Sequence, residues 1–122
     1  MEQGKILIVE DEAIPAMELQ LIVESLGYAA SITTTGEEAV LLAGRENPGV
    51  VLMDINLDGE MDGIRAAEKI SLELGIPVIF MTGYSNEDML EEARSIKPSE
   101  ILSKPLNIEK LKSAVKAALE KI

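Results

Sequence analysis

A few side chains at four places in the sequence carry most of its available chemistry. Glu10, Asp11 and Glu12 put three carboxylates in a row, and Asp54 ends the segment "VVLMD" with Asn56 two residues on. Thr82 follows "IPVIFM", and Lys104 precedes Pro105 in "SKP". Each has an ordinary reading when taken alone. An acid ahead of a helix can cap it and complement its dipole, and Glu12 is read that way. An Asp after an apolar run is often a turn residue, and a single Thr or Lys says little. Gathered in one place they could do more. Carboxylates held close repel, and at least one must titrate high unless a cation sits among them. The chain has neither His nor Cys, and an oxygen-only ligand set favours Mg2+. Lys104 would give a phosphate oxygen a positive point charge, and Thr82 a hydroxyl donor. The nucleophile left available is a carboxylate, with Asp54 the best placed to form an aspartyl phosphate. Phosphoryl transfer asks little of a protein beyond positioning and charge neutralisation.

Whether these residues meet depends on the elements between them. Short aliphatic runs fall at Ile6–Val9, Tyr28–Ile32, Val50–Met53, Pro77–Met81 and Glu100–Leu102. The first, third and fourth are continuously apolar, as strands covered on both faces must be. Helical spacing fills the gaps. Ile14, Met17 and Leu21 share a face, as do Leu19, Ile22 and Leu26, giving the first helix a broad apolar side. Ile64, Ala67 and Leu74 mark a third helix, Met89, Ala93 and Ile96 a fourth, and Ile108, Leu111, Val115, Ala118 and Ile122 a fifth. Gly27, Gly44 and Gly75 stand where helices should stop. Five strand-helix units predict a doubly wound α/β fold with a parallel sheet and helices on both faces. Ligands of such sheets bind beyond the carboxyl ends of the strands, where every residue of the first paragraph falls.

The bulk properties narrow the field further. The 122 residues are 47% hydrophobic and 27% charged, which suits one globular domain with its own core. Acids outnumber bases 22 to 11, so the net charge of −11 repels nucleic acid. With two tyrosines and one phenylalanine, a base-stacking surface is not expected either. The apolar runs are too short to span a bilayer and no signal peptide opens the chain, so a cytoplasmic location is expected.

The segments "VED", "VLMDINL", "MTG" and "SKP", in this order and spacing, resemble a response-regulator receiver domain. The resemblance runs from Lys5 to the last helix, and it implies a flavodoxin-like fold with strand order 2-1-3-4-5, a single receiver domain over residues 1–122 and no output domain. It implies Asp54 as the phospho-acceptor, with Mg2+ held by Asp11, Asp54 and the backbone carbonyl of Asn56, and by Glu10 through a water. Lys104 would contact the phosphoryl group, Thr82 would be the switch hydroxyl, and the Lys104–Pro105 peptide would be cis. The phosphoryl group would come from a histidine of a partner kinase or phosphotransfer domain, since this chain has none of its own. Such a domain is a switch rather than an enzyme, catalysing only its own phosphorylation and dephosphorylation. Its conformation would shift at the face of the fourth helix, fifth strand and fifth helix, where a downstream protein reads it.

Three positions depart from the family pattern. Ile101 replaces the aromatic usual three residues before the lysine, the loop after Asp54 is one residue longer with Asp58 where proline is frequent, and Tyr84 sits two residues after Thr82. Other readings fit less well. A phosphatase of the haloacid-dehalogenase kind needs an acid two residues past its nucleophile, where this chain has Asn56. A degenerate receiver would have lost Asp11, Asp54 or Lys104. A flavodoxin-like nucleotide binder wants a glycine-rich loop, whereas "EDEAIP" repels phosphate unless a metal intervenes.

Overall fold

The computed structural model describes residues 4–57, 61–83 and 87–120. Asp58, Tyr84 and Ile122 lie outside them. The elements alternate strictly: β1 Lys5–Val9, α1 Ala13–Ser25, β2 Ala29–Thr33, α2 Gly36–Glu46, β3 Val50–Asp54, α3 Gly63–Leu74, β4 Val78–Thr82, α4 Glu87–Ser95, β5 Glu100–Ser103 and α5 Ile108–Leu119. The strands form one sheet in the order β2-β1-β3-β4-β5, and all neighbours are parallel. Both the order and the architecture agree with the expectation from sequence.

The unbroken apolar runs have their cause in two cores, one on each face of the sheet. Ile6, Ile8, Val50, Leu52, Ile79 and Met81 point to one side, where α1 and α5 cover them with Leu19, Val23, Leu111 and Val115. Leu7, Val9, Val51, Met53, Val78 and Phe80 point to the other, against Ala39, Ala43, Ile64, Ala67, Ile70 and Ala93 of α2, α3 and α4. Each fully buried aliphatic side chain contributes roughly 1.5–3 kcal/mol, and β1, β3 and β4 are buried along nearly their whole length.

Caps fix where the helices begin. Thr35 accepts from the Glu38 amide, Asp62 from that of Arg65 and Asn107 from that of Lys110. Three expectations need correcting. Glu12 occupies the N-cap of α1, but its carboxylate makes no capping hydrogen bond, so only its charge acts on the helix. Gly44 lies inside α2, which ends instead at Asn47 in the left-handed conformation with φ 51°. The first helix does have a broad apolar side, but only Ala16, Leu19 and Val23 on it are buried. Ile14, Met17 and Leu21 are 70%, 58% and 68% exposed. Among the described residues, no helix is long and apolar enough to cross a membrane.

Candidate functional site

Parallel strands in register bring their carboxyl ends to one edge. Val9 lies opposite Met53, Asp54 opposite Met81 and Thr82 opposite Ser103, so Glu10, Asp54, Thr82 and Lys104 converge there. Glu10 continues past β1, its amide donating to the Thr33 carbonyl at 3.1 Å. The Lys104 amide donates to the Thr82 carbonyl at 2.8 Å, which carries the chain from β5 into the site. The Lys104–Pro105 peptide is cis, as expected.

Carboxylate oxygens of Glu10, Asp11 and Asp54 all lie within 4.8 Å of one another. Two of the three are deeply buried, Glu10 at 2% and Asp54 at 4% exposure. The Lys104 ammonium sits between those two, 3.0 Å from Glu10 Oε1 and 3.5 Å from Asp54 Oδ2. Backbone amides supply further donors. Asn56 N–H donates to Asp54 Oδ1 at 2.9 Å, and the Glu12 amide approaches Glu10 Oε2 at 3.4 Å. Among the described residues, no buried side-chain nitrogen or oxygen lacks a hydrogen-bond partner.

The electrostatics follow from this geometry. Burial pushes Glu10 above the usual carboxylate range, and the charge of Asp54 adds to that, while the hydrogen bond from Lys104 opposes it. Burial works against the Lys104 ammonium, but its hydrogen bond to Glu10 and the negative charges of Asp54 and Glu10 outweigh that effect. Lys104 therefore titrates above its ordinary value. Among the described residues, three carboxylates cluster here and one ammonium pairs with two of them. A divalent cation with a taste for hard oxygen donors fits that imbalance and that ligand chemistry. Of the three carboxylates, Asp11 is half-buried, whereas Glu10 and Asp54 are buried.

The sequence-predicted residues therefore meet: Glu10, Asp11, Asp54 and Lys104 within one cluster, Asn56 bonded to Asp54, and the buried Thr82 at the adjoining strand end. The first departure from the family pattern also finds a place. Ile101 lies opposite Phe80 in the β4–β5 register and packs with Met89 against the same core. The departures at Asp58 and Tyr84 fall outside the described residues.

Two residues do more than the sequence reading assigned them. A Cβ on Gly63 would lie 2.1 Å from the Asp54 carbonyl oxygen, so only glycine lets α3 start this close to β3. The "DG" pair at Asp62-Gly63 was the visible trace of this. Met89, on α4, accepts a hydrogen bond from the Asn56 side-chain amide at 3.6 Å, and no local pattern signals a partner 33 residues away.

Comparison with known proteins adds to this geometry. Residues 6–116 match the family described as the response regulator receiver domain. The chain is 34% identical over 118 residues to the transcriptional regulatory protein PdtaR of Mycobacterium tuberculosis, covering 96% of this chain and 57% of that protein. It is 32% identical over 120 residues to sporulation initiation phosphotransferase F of Bacillus subtilis, covering 98% of this chain and 96% of that one. Among solved structures, the signal receiver domain of a modulated diguanylate cyclase from Desulfovibrio desulfuricans G20 superposes with a TM-score of 0.91 at 33% identity, over 96% of this chain and 94% of that chain.

Proposed function

This chain belongs to the response regulator receiver-domain family, whose members are phospho-accepting signalling switches, and from that premise we propose how its acid pocket works. Asp54 is the acceptor. One of its carboxylate oxygens attacks the phosphorus of a phosphohistidine on a partner kinase or phosphotransfer domain. The phosphorus–nitrogen bond breaks, the phosphorus–oxygen bond forms, and the imidazole leaves with a proton. Hydrolysis later returns the carboxylate and inorganic phosphate.

The Asn56 amide holds one Asp54 oxygen at 2.9 Å and so sets the carboxylate's orientation. Asp11 and Asp54, with the Asn56 carbonyl and with Glu10 through a water, would hold Mg2+. When bound there, the ion would supply charge neutralisation for the transferring group. Lys104, shared between Glu10 and Asp54 before the reaction, exchanges these partners for a phosphoryl oxygen. Thr82 offers its hydroxyl to the same group, and the rearrangement is passed to the α4-β5-α5 face, where a downstream protein reads it.

The single observation that carries this reading is the placement of Lys104 between two buried carboxylates in a cluster of three. The donor's approach has support too. Ile14, Met17 and Leu21 form an exposed apolar stripe on the helix that starts two residues after Asp11, beside the site the donor must reach. An apolar helical surface on the phosphodonor fits it. The net charge of −11 argues against a direct nucleic acid partner.

Incubation with acetyl phosphate and Mg2+, followed by mass spectrometry, tests the core of this reading. A labile phosphoryl adduct on the wild type and none on Asp54→Asn is the expected result. An adduct that persists in Asp54→Asn overturns it.

A further inference from the structure

Asn56 makes two contacts that point in different directions. Its backbone amide bonds the acceptor carboxylate at 2.9 Å, and its side-chain amide donates to the Met89 sulfur at 3.6 Å. One residue thereby links Asp54 to α4, an element that the acid cluster does not otherwise include. Asn56 and Met89 share a groove of about 460 Å³ with Ile55, Leu57, Ile64 and Asp88. Met89 is half-buried there, against the core cluster that holds Phe80 and Met53.

Resting on the reading of Asp54 as phospho-acceptor, we propose that Met89 is a positioning residue. Its thioether holds the Asn56 amide and so preorganises the loop that orients Asp54. A methionine suits this task, because its unbranched side chain adapts to small helix displacements while the sulfur remains an acceptor. Preorganisation acts on rate: a loop already in its productive geometry loses less freedom on reaching the transition state. Sulfur is a weak acceptor, so the effect should be modest, about two- to fivefold by the net worth of one weak hydrogen bond.

Leucine keeps the bulk of Met89 and removes the acceptor, whereas glutamine keeps an acceptor at similar reach. Adduct formation is timed with acetyl phosphate and Mg2+, beside a thermal melt of each protein. M89L should react about two- to fivefold more slowly than wild type at an unchanged melting temperature, and M89Q should recover most of the rate. In an N56A background, M89L should have no further effect. A wild-type rate in M89L, equal slowing in M89L and M89Q, or additive losses in the double variant would each overturn the positioning role. The acceptor reading would survive those results. A wild type that forms no adduct at all removes the acceptor reading and this inference together.

Discussion

Replacing Lys104 with methionine should separate the electrostatic role of the site from its shape. Methionine keeps the length of the lysine stem and removes the cation that, among the described residues, contacts Glu10 and Asp54, which are 2% and 4% exposed. Breaking a buried ion pair by deleting one partner costs about 3–5 kcal/mol. The Lys104 side chain is 29% exposed, so water screens part of its interaction and about 2–3 kcal/mol is the better figure. Protonation sets a ceiling on the loss. The orphaned Glu10 can take up a proton at about 1.4 kcal/mol per pH unit between its folded-state pKa and the solution pH. The deficit should therefore be largest near pH 8 and shrink as the pH falls toward 6. Metal acts in the opposite sense, because a ligand that binds only the folded state stabilises it by mass action. In the wild type a divalent ion would compete with the ammonium for the same oxygens; in K104M it would not. Urea melts in EDTA and in excess Mg2+, at pH 6 and pH 8, measure all four quantities. A K104M protein as stable as wild type in EDTA at pH 8 would refute the reasoning, as would one that gains less from Mg2+ than wild type does.

Other substitutions probe neighbouring features. Gly63→Ala forces a methyl to 2.1 Å from the Asp54 carbonyl oxygen, and overpacking of this kind costs about 1–3 kcal/mol or more. A urea midpoint equal to that of wild type would show that α3 can move aside freely. Glu10 titrates above 4.5 when folded, so the folded state binds its proton more readily than the unfolded chain does. Its contribution to stability thus falls as pH rises from about 4.5 through the raised value. Metal-free Glu10→Gln should gain on wild type across that window; a difference that stays flat with pH contradicts it. The Lys104 contribution, present below 10.5, is lost only as pH climbs through its own raised value. Met17→Asp should leave phosphorylation by acetyl phosphate unchanged and slow transfer from a phosphohistidine protein at least about tenfold, the rate equivalent of about 1.4 kcal/mol. Equal rates from both donors would remove α1 from the docking face.

Much of this was legible because a parallel sheet writes its rules plainly. The apolar runs "ILIV", "VVLM" and "VIFM" suit strands between two helical layers, and that architecture sends the residues that follow them to one edge. What stayed hidden shares a cause as well. The first helix is apolar at Ile14, Met17 and Leu21 and again at Ala16, Leu19 and Val23, and periodicity alone cannot say which stripe the sheet covers. Gly44 read as a stop, but a glycine within a helix costs only about 1 kcal/mol, and Asn47 supplied the left-handed residue that ends α2. The contacts of Gly63 with β3 and of Met89 with Asn56 depend on tertiary approach, which no local window contains.

The contact between Lys104 and Glu10 spans 94 residues of a chain of 122. On a ribosome Glu10, just past β1, and Asp54, at the end of β3, are therefore made long before their counter-charge. Until β5 docks, Glu10 and Asp54 have no lysine beside them, and the burial that the first strands favour works against itself. The pairing also costs extra loop-closure entropy, which places the contact among the late events of folding. In the proposed mechanism the pocket therefore gains its lysine only once β5 has docked beside β4.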